Sequence, residues 1–110
     1  MMDIDAYQIA CMGTAKSDHA SRQEQLFNFT LGLVGEAGEF ANKLKKELYH
    51  GHPTEVKEYI EELGDVLWYV AMLAHTFNRT LSSVAEENIA KLDRRYPAGF
   101  DPDRSRNRTD

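Results

Sequence analysis

The chain is poor in the residues that staple or interrupt a small protein: one cysteine, Cys11, and three prolines in 110 residues. A lone cysteine excludes an intrachain disulfide framework and fits a reducing compartment. The longest apolar run, Val66 to Ala74, is too short to span a bilayer. The opening Met-Met-Asp-Ile-Asp lacks the basic and apolar regions of a secretory signal. The expectation is a cytoplasmic protein, or one of the host cytoplasm if viral, without membrane contact. The 13 Lys and Arg are outnumbered by 18 Asp and Glu, and a net charge of −5 argues against direct nucleic-acid binding. An anionic small substrate stays open, because bound metal ions invert a local field. Gly32-Leu33-Val34-Gly35 lacks the Lys-Ser/Thr of a phosphate loop. His19, His50, His52 and His75 have no common ligand spacing, which disfavours zinc.

What is present is helical periodicity, with no convincing strand alternation. The spacing predicts a first helix from Met2 to about Lys16 and a polar break from Ser17 to Ser21. A long second helix follows, from about Arg22 to Tyr49. Gly51 and Pro53 mark a turn, and Thr54 is the expected cap of a third helix reaching about Asn78. Ser83-x-x-Glu86 reads as a capping box opening a fourth helix to about Arg95. The fold class expected is all-α, a four-helix bundle over residues 1–100 with a loose polar tail over 101–110. Three glycines inside the second helix, Gly32, Gly35 and Gly38, each cost about 1 kcal/mol relative to alanine. They call for close approach of another helix or a ligand.

Two acidic pairs carry the chemistry. Glu36-x-x-Glu39 and Glu62-x-x-Asp65 each place two carboxylates about one turn apart, bordering an apolar arc. Carboxylates there need a cation, either a basic side chain or a hard divalent ion with oxygen ligands. A di-iron centre would want Glu-x-x-His, so Mg2+ or Mn2+ is preferred to redox iron. On the fourth helix Asn88, Lys91 and Arg95 form a complementary stripe beside Ile89 and Leu92. Acids on two helices and cations on a third are what a metal–polyphosphate site requires. Lys45 and Lys46 read as a solvated edge, and Cys11 as a small buried residue. Trp68 and Met72 form an extra apolar surface on the third helix, suggesting a helical dimer.

Three separated segments resemble one family. They are Gly32-Leu33-Val34-Gly35-Glu36-Ala37-Gly38-Glu39, Glu61-Glu62-Leu63-Gly64-Asp65-Val66-Leu67-Trp68-Tyr69 and Asn88-Ile89-Ala90-Lys91-Leu92-Asp93-Arg94-Arg95-Tyr96-Pro97. Together with Tyr7-Gln8 and Thr14 they resemble the MazG-like nucleoside triphosphate pyrophosphohydrolases of the all-α NTP pyrophosphatase superfamily. The resemblance covers roughly residues 5 to 100. It implies Glu36, Glu39, Glu62 and Asp65 as catalytic metal ligands for Mg2+, with Mn2+ as an alternative. Gly35 stands where the family often has a further Glu. The resemblance also implies Asn88, Lys91, Arg95 and Tyr96 as substrate contacts, and a homodimer or homotetramer as the active unit.

The reaction so implied converts a (deoxy)nucleoside triphosphate to monophosphate and pyrophosphate, by water attack at the α-phosphorus with Glu36 or Glu39 as general base. The base pocket draws its candidates from Tyr7, Gln8, Cys11, Phe27, Asn28 and Phe29, and a dNTP such as dGTP is a candidate substrate. Two alternatives stand beside this reading: a phosphoribosyl-ATP-type pyrophosphohydrolase, which demands a more basic site, and a non-catalytic helical interaction module.

Overall fold

A computed structural model describes residues 1–15 and 21–109. Five helices form among them, and the only β feature is an isolated bridge between Pro97 and Gly99. They are α1 (Ile4–Met12), α2 (Arg22–His50), α3 (Val56–Thr76), α4 (Leu81–Arg95) and α5 (Pro102–Arg106). Lys16, the expected end of the first helix, and residues 17–20 of the expected break, His19 among them, lie outside the described residues.

Capping residues set most of the boundaries. Asp3 accepts from Ala6 N at 2.8 Å, and Ser21 accepts from Glu24 N at 3.2 Å. Gly51, at φ 67°, closes α2 in the left-handed conformation that glycine adopts without strain. Two expected caps move. Glu55, not Thr54, precedes α3, and Glu58 reaches back to its N–H at 3.0 Å. The Thr54 N–H is instead drawn to Glu47 at 3.3 Å. Thr80, not Ser83, caps α4, accepting from Ser83 N at 3.1 Å. Asn78 turns the chain at φ 59°, and α4 starts three residues earlier than a box at Ser83 would allow.

The frame is an α2–α3 antiparallel hairpin with α1 and α4 laid across one end of α3. At that end Arg22 of α2 donates to Thr76 O at 3.2 Å and its guanidinium lies over Phe77. At the other end Tyr59 donates to Glu47 at 2.7 Å and packs on Phe40. The core is small: Cys11, Ala71, Met72, Ala74 and Leu81, backed by Tyr7, Met12, Phe29, Trp68 and Val70. Gln8 sits inside it, 6 % exposed. Its Nε2 donates to Ala71 O and Arg79 O, and its Oε1 accepts from Leu81 N. One amide side chain thus ties α1 to the α3–α4 turn, and Asp5 adds bonds to Ser82 N and Oγ.

Much apolar surface stays open. On α3, Val56, Ile60, Leu63 and Leu67 recur at helical spacing, and the last three are 58, 50 and 39 % exposed. On α2 the exposed apolar residues include Phe27, Leu31, Val34, Leu48 and Tyr49. The uncovered surface of α3 is therefore not the expected Trp68–Met72 face. Met72 is buried and Trp68 half-buried, because α1 covers that side. The radius of gyration is 17.2 Å, against about 13 Å for a compact chain of this length.

The expected loose tail holds a short helix instead. Asp101 caps α5 by accepting from Asp103 N at 2.9 Å, and Pro102 occupies its first turn.

Candidate metal and nucleotide site

The close pairing of α2 with α3 brings acids from two helices together. One carboxylate oxygen each from Glu36, Glu62 and Asp65 lies within 4.8 Å of the others. Glu36 and Glu62 are half-buried, and Asp65 is exposed. Glu39 stands outside this group of three. A step of three residues swings it round α2 by about −60°, leaving it solvent-exposed.

Charge compensation is incomplete. Lys43 bonds Glu62 Oε1 at 3.1 Å. Glu62 Oε2 is buried and, among the described residues, has no hydrogen-bond partner. A buried carboxylate oxygen without a donor is costly. Glu36 is held above the usual carboxylate range, first by desolvation, then by Glu62, Asp65 and Glu39. Lys43 is held above the usual lysine value chiefly by its bond to Glu62. The donor set is all carboxylate oxygen, and one oxygen lacks a partner. Both features fit a hard divalent cation such as Mg2+. Sequence reasoning had passed over Lys43, although it lies two turns beyond Glu36 on the same side of α2.

A cleft of about 340 Å3 opens beside the acids, lined by Thr14, Glu36, Asp65, Trp68 and Tyr69. Its aromatic wall is fixed at several points. The Trp68 indole N–H donates to Thr14 Oγ1 at 2.8 Å, and that hydroxyl donates to Cys11 O at 2.8 Å. Trp68 packs edge-on against Tyr69 and Phe29, with centroids at 4.9 and 5.8 Å. Tyr69 in turn lies against Gly32, where an added Cβ would fall 2.2 Å from the ring. That close approach explains one of the three helical glycines. Around Gly35 and Gly38 there is open space. Tyr7 points its hydroxyl at Gly64 O, 3.4 Å away. Burial, then Cys11 and Asp65, push its pKa to about 12.

The other anticipated residues divide. Trp68, read from sequence as core or interface, also walls the acidic cleft. Gln8 and Cys11, proposed for a base pocket, are buried in the core, while Phe27 and Asn28 are exposed. Phe29 packs beneath Trp68. None of Asn88, Lys91, Arg95 or Tyr96 lines the acidic cleft. Asn88 and Lys91 border a groove of about 540 Å3 between α4, α1 and α3. Arg95 faces a cleft of about 520 Å3 beside α5, and Tyr96 packs on Phe100.

Comparison with known proteins supplies the wider setting. A family model described as the MazG nucleotide pyrophosphohydrolase domain matches residues 25–100. The chain is 43 % identical over 105 residues to the Gene 37 protein of Mycobacterium phage L5, covering 89 % of this chain and 92 % of that one. No solved structure matches. No helix among the described residues is long and apolar enough to cross a membrane.

Proposed function

Because the chain belongs to the MazG nucleotide pyrophosphohydrolase family, we propose that it hydrolyses (deoxy)nucleoside triphosphates to the monophosphate and pyrophosphate at the acidic cleft between α2 and α3. The observation that carries this reading is the convergence of Glu36, Glu62 and Asp65, with one Glu62 oxygen buried and, among the described residues, without a hydrogen-bond partner. These three residues would hold Mg2+, or Mn2+ in its place, with Glu39 as the fourth acid of the set. When bound, the ion supplies positive charge to phosphate oxygens and acidifies water.

The chain's own residues have separable tasks. Lys43 bonds one oxygen of Glu62 and so holds that carboxylate beside Glu36 and Asp65. Glu39, exposed one turn from Glu36, takes a proton from the attacking water. Trp68 and Tyr69 offer flat apolar surface beside the acids, suited to a base or sugar. Asn88, Lys91, Arg95 and Tyr96 hold the phosphates and sugar.

A homo-oligomer completes the arrangement. The exposed rows on α2 and α3 and the expanded radius leave a protomer with more uncovered apolar surface than a monomer tolerates. A second copy would cover those rows and bring an α4 cation stripe toward an acidic cleft.

The test is pyrophosphate release from the eight common NTPs and dNTPs, dGTP included, with Mg2+ and with chelator. In 18O-water, attack at the α-phosphorus puts the label in the monophosphate. Label in pyrophosphate would refute the assigned chemistry. Silence across the panel by folded protein would favour a non-catalytic helical module, and turnover of phosphoribosyl-ATP alone would move the substrate assignment.

A further inference from the structure

One cation already stands at the acidic group. Lys43 lies two turns beyond Glu36 on α2, and its Nζ bonds Glu62 Oε1 across the seam with α3 at 3.1 Å. Neither side chain is free in solvent: Lys43 is 29 % and Glu62 12 % exposed. The bond to Glu62 comes first in holding the Lys43 ammonium above the usual lysine value, against the pull of burial, and Glu58 and Glu61 add to it. The ammonium is therefore charged wherever these carboxylates are ionised.

That bond makes the two oxygens of Glu62 unequal. Oε1 carries the ammonium, while Oε2 is buried and, among the described residues, has no hydrogen-bond partner. A carboxylate that clasps one ion through both oxygens, or bridges two ions, needs Oε1 as well as Oε2. A divalent ion at Oε1 would stand beside the Lys43 ammonium, and two like charges held close in a half-buried seam repel strongly. An ion at Oε2 meets an oxygen with no donor on it, with Glu36 and Asp65 for neighbours. The charges agree, since three carboxylates less one ammonium leave what a single divalent ion neutralises. Glu39 is exposed and stands outside the group of three. We infer that Lys43 is a positioning residue that confines Glu62 to ligation through one oxygen, so that the chain without nucleotide holds one divalent ion per copy at this site. The inference deepens the proposed metal reading and rests on it.

Titration of the whole protein with Mn2+, the free ion counted by electron paramagnetic resonance, tests this without nucleotide and without turnover. One saturable ion per chain is expected, and Glu62→Gln should lose it. Lys43→Met keeps the apolar stem, removes the charge and frees Oε1, and it should take up a second ion per chain. Lys43→Arg keeps both charge and bond and should stay at one. A merely structural role for Lys43 would lower the melting temperature of Lys43→Met and leave the count unchanged, so the count decides. Lys43→Gln supplies the same comparison if Lys43→Met does not fold. Two or more ions in the parent, one ion in both the parent and Lys43→Met, or an ion retained by Glu62→Gln each overturns the inference. If a parent with two ions still releases pyrophosphate, the proposed activity stands and this inference alone falls. A folded parent that binds no ion removes the metal reading and this inference with it.

Discussion

Replacing Gly32 by alanine separates the local preference of α2 from the packing of the candidate site. In an exposed helix the change would stabilise by about 1 kcal/mol. Here the new Cβ would lie 2.2 Å from Tyr69 Cε1 and 2.3 Å from Cζ, where ordinary contact begins near 3.4 Å. The ring must retreat by about 1 Å, an overpacking cost of roughly 1–3 kcal/mol. It has little room, because Trp68 stands 4.9 Å away and is bonded to Thr14. The net expectation is a loss of about 1 kcal/mol, or about 4–8 °C in melting temperature for a domain near this size. The effect on turnover is larger. Tyr69 and Trp68 wall the cleft that holds Glu36 and Asp65, and a shift of about 1 Å there can cost ~100-fold in rate. Thermal unfolding followed by circular dichroism, paired with Mg2+-dependent pyrophosphate release, reads both. A variant that melts higher than the parent and retains full turnover would refute the packing argument.

Glu62→Gln should reduce metal-dependent turnover about a hundredfold or more while circular dichroism stays unchanged, since its pair with Lys43 adds at most ~1 kcal/mol of stability. Gln8→Ala should destabilise by about 2–4 kcal/mol in urea unfolding, because Leu81 N–H and the Ala71 and Arg79 carbonyls lose their shared partner. Glu36 is raised above its ordinary 4.5, so in metal-free protein its stabilising contribution is full below that pH and is lost as pH rises through the folded value. Comparing Glu36→Gln with the parent across that window should remove this part of the pH dependence, and an identical profile in both would count against it. Ile60→Lys, at an exposed position, should barely alter a monomer but should lower the mass seen by light scattering if that row is an interface.

The helices were legible because their periods are long and their caps are local. Ser21 and Gly51 act within a few residues, and both ends of α2 fall within one residue of expectation. Thr54 and Ser83 misled for the same reason inverted, since a better-placed neighbour took each role. Glu58 reaches back to Glu55 at one site, and the turn at Asn78 sets Thr80 at the other. The acidic group was legible because two helices that pair antiparallel bring their bordering acids together. Gln8 was not, because a polar residue in a first helix gives no sign that three backbone groups from a distant turn will converge on it. The fifth helix was hidden by its composition. Its residues read as a loose polar tail, and the bonds from Arg104 to the Arg94 and Arg95 carbonyls tie it to the end of α4.

Three acids gather between α2 and α3 with Lys43 beside them, while a separate group of arginines lies at the end of α4 and on α5. α4 packs on α1 and α3, and its cations line separate openings. On the proposed reading a triphosphate needs the acids and the α4 cations within its own length, whereas in one protomer the cation bonded to the acidic group is Lys43 of α2. Around Gly35 and Gly38, on the helix that carries Glu36 and Glu39, there is open space. Alanine at either position would keep the helix and gain about 1 kcal/mol in a lone protomer. Close approach by a neighbouring chain would turn that gain into a clash. Thermal stability of Gly38→Ala, measured across a dilution series, therefore reads whether another copy meets α2 beside its acids. A gain at every concentration would leave that surface open, and a loss confined to concentrated protein would put a second chain there.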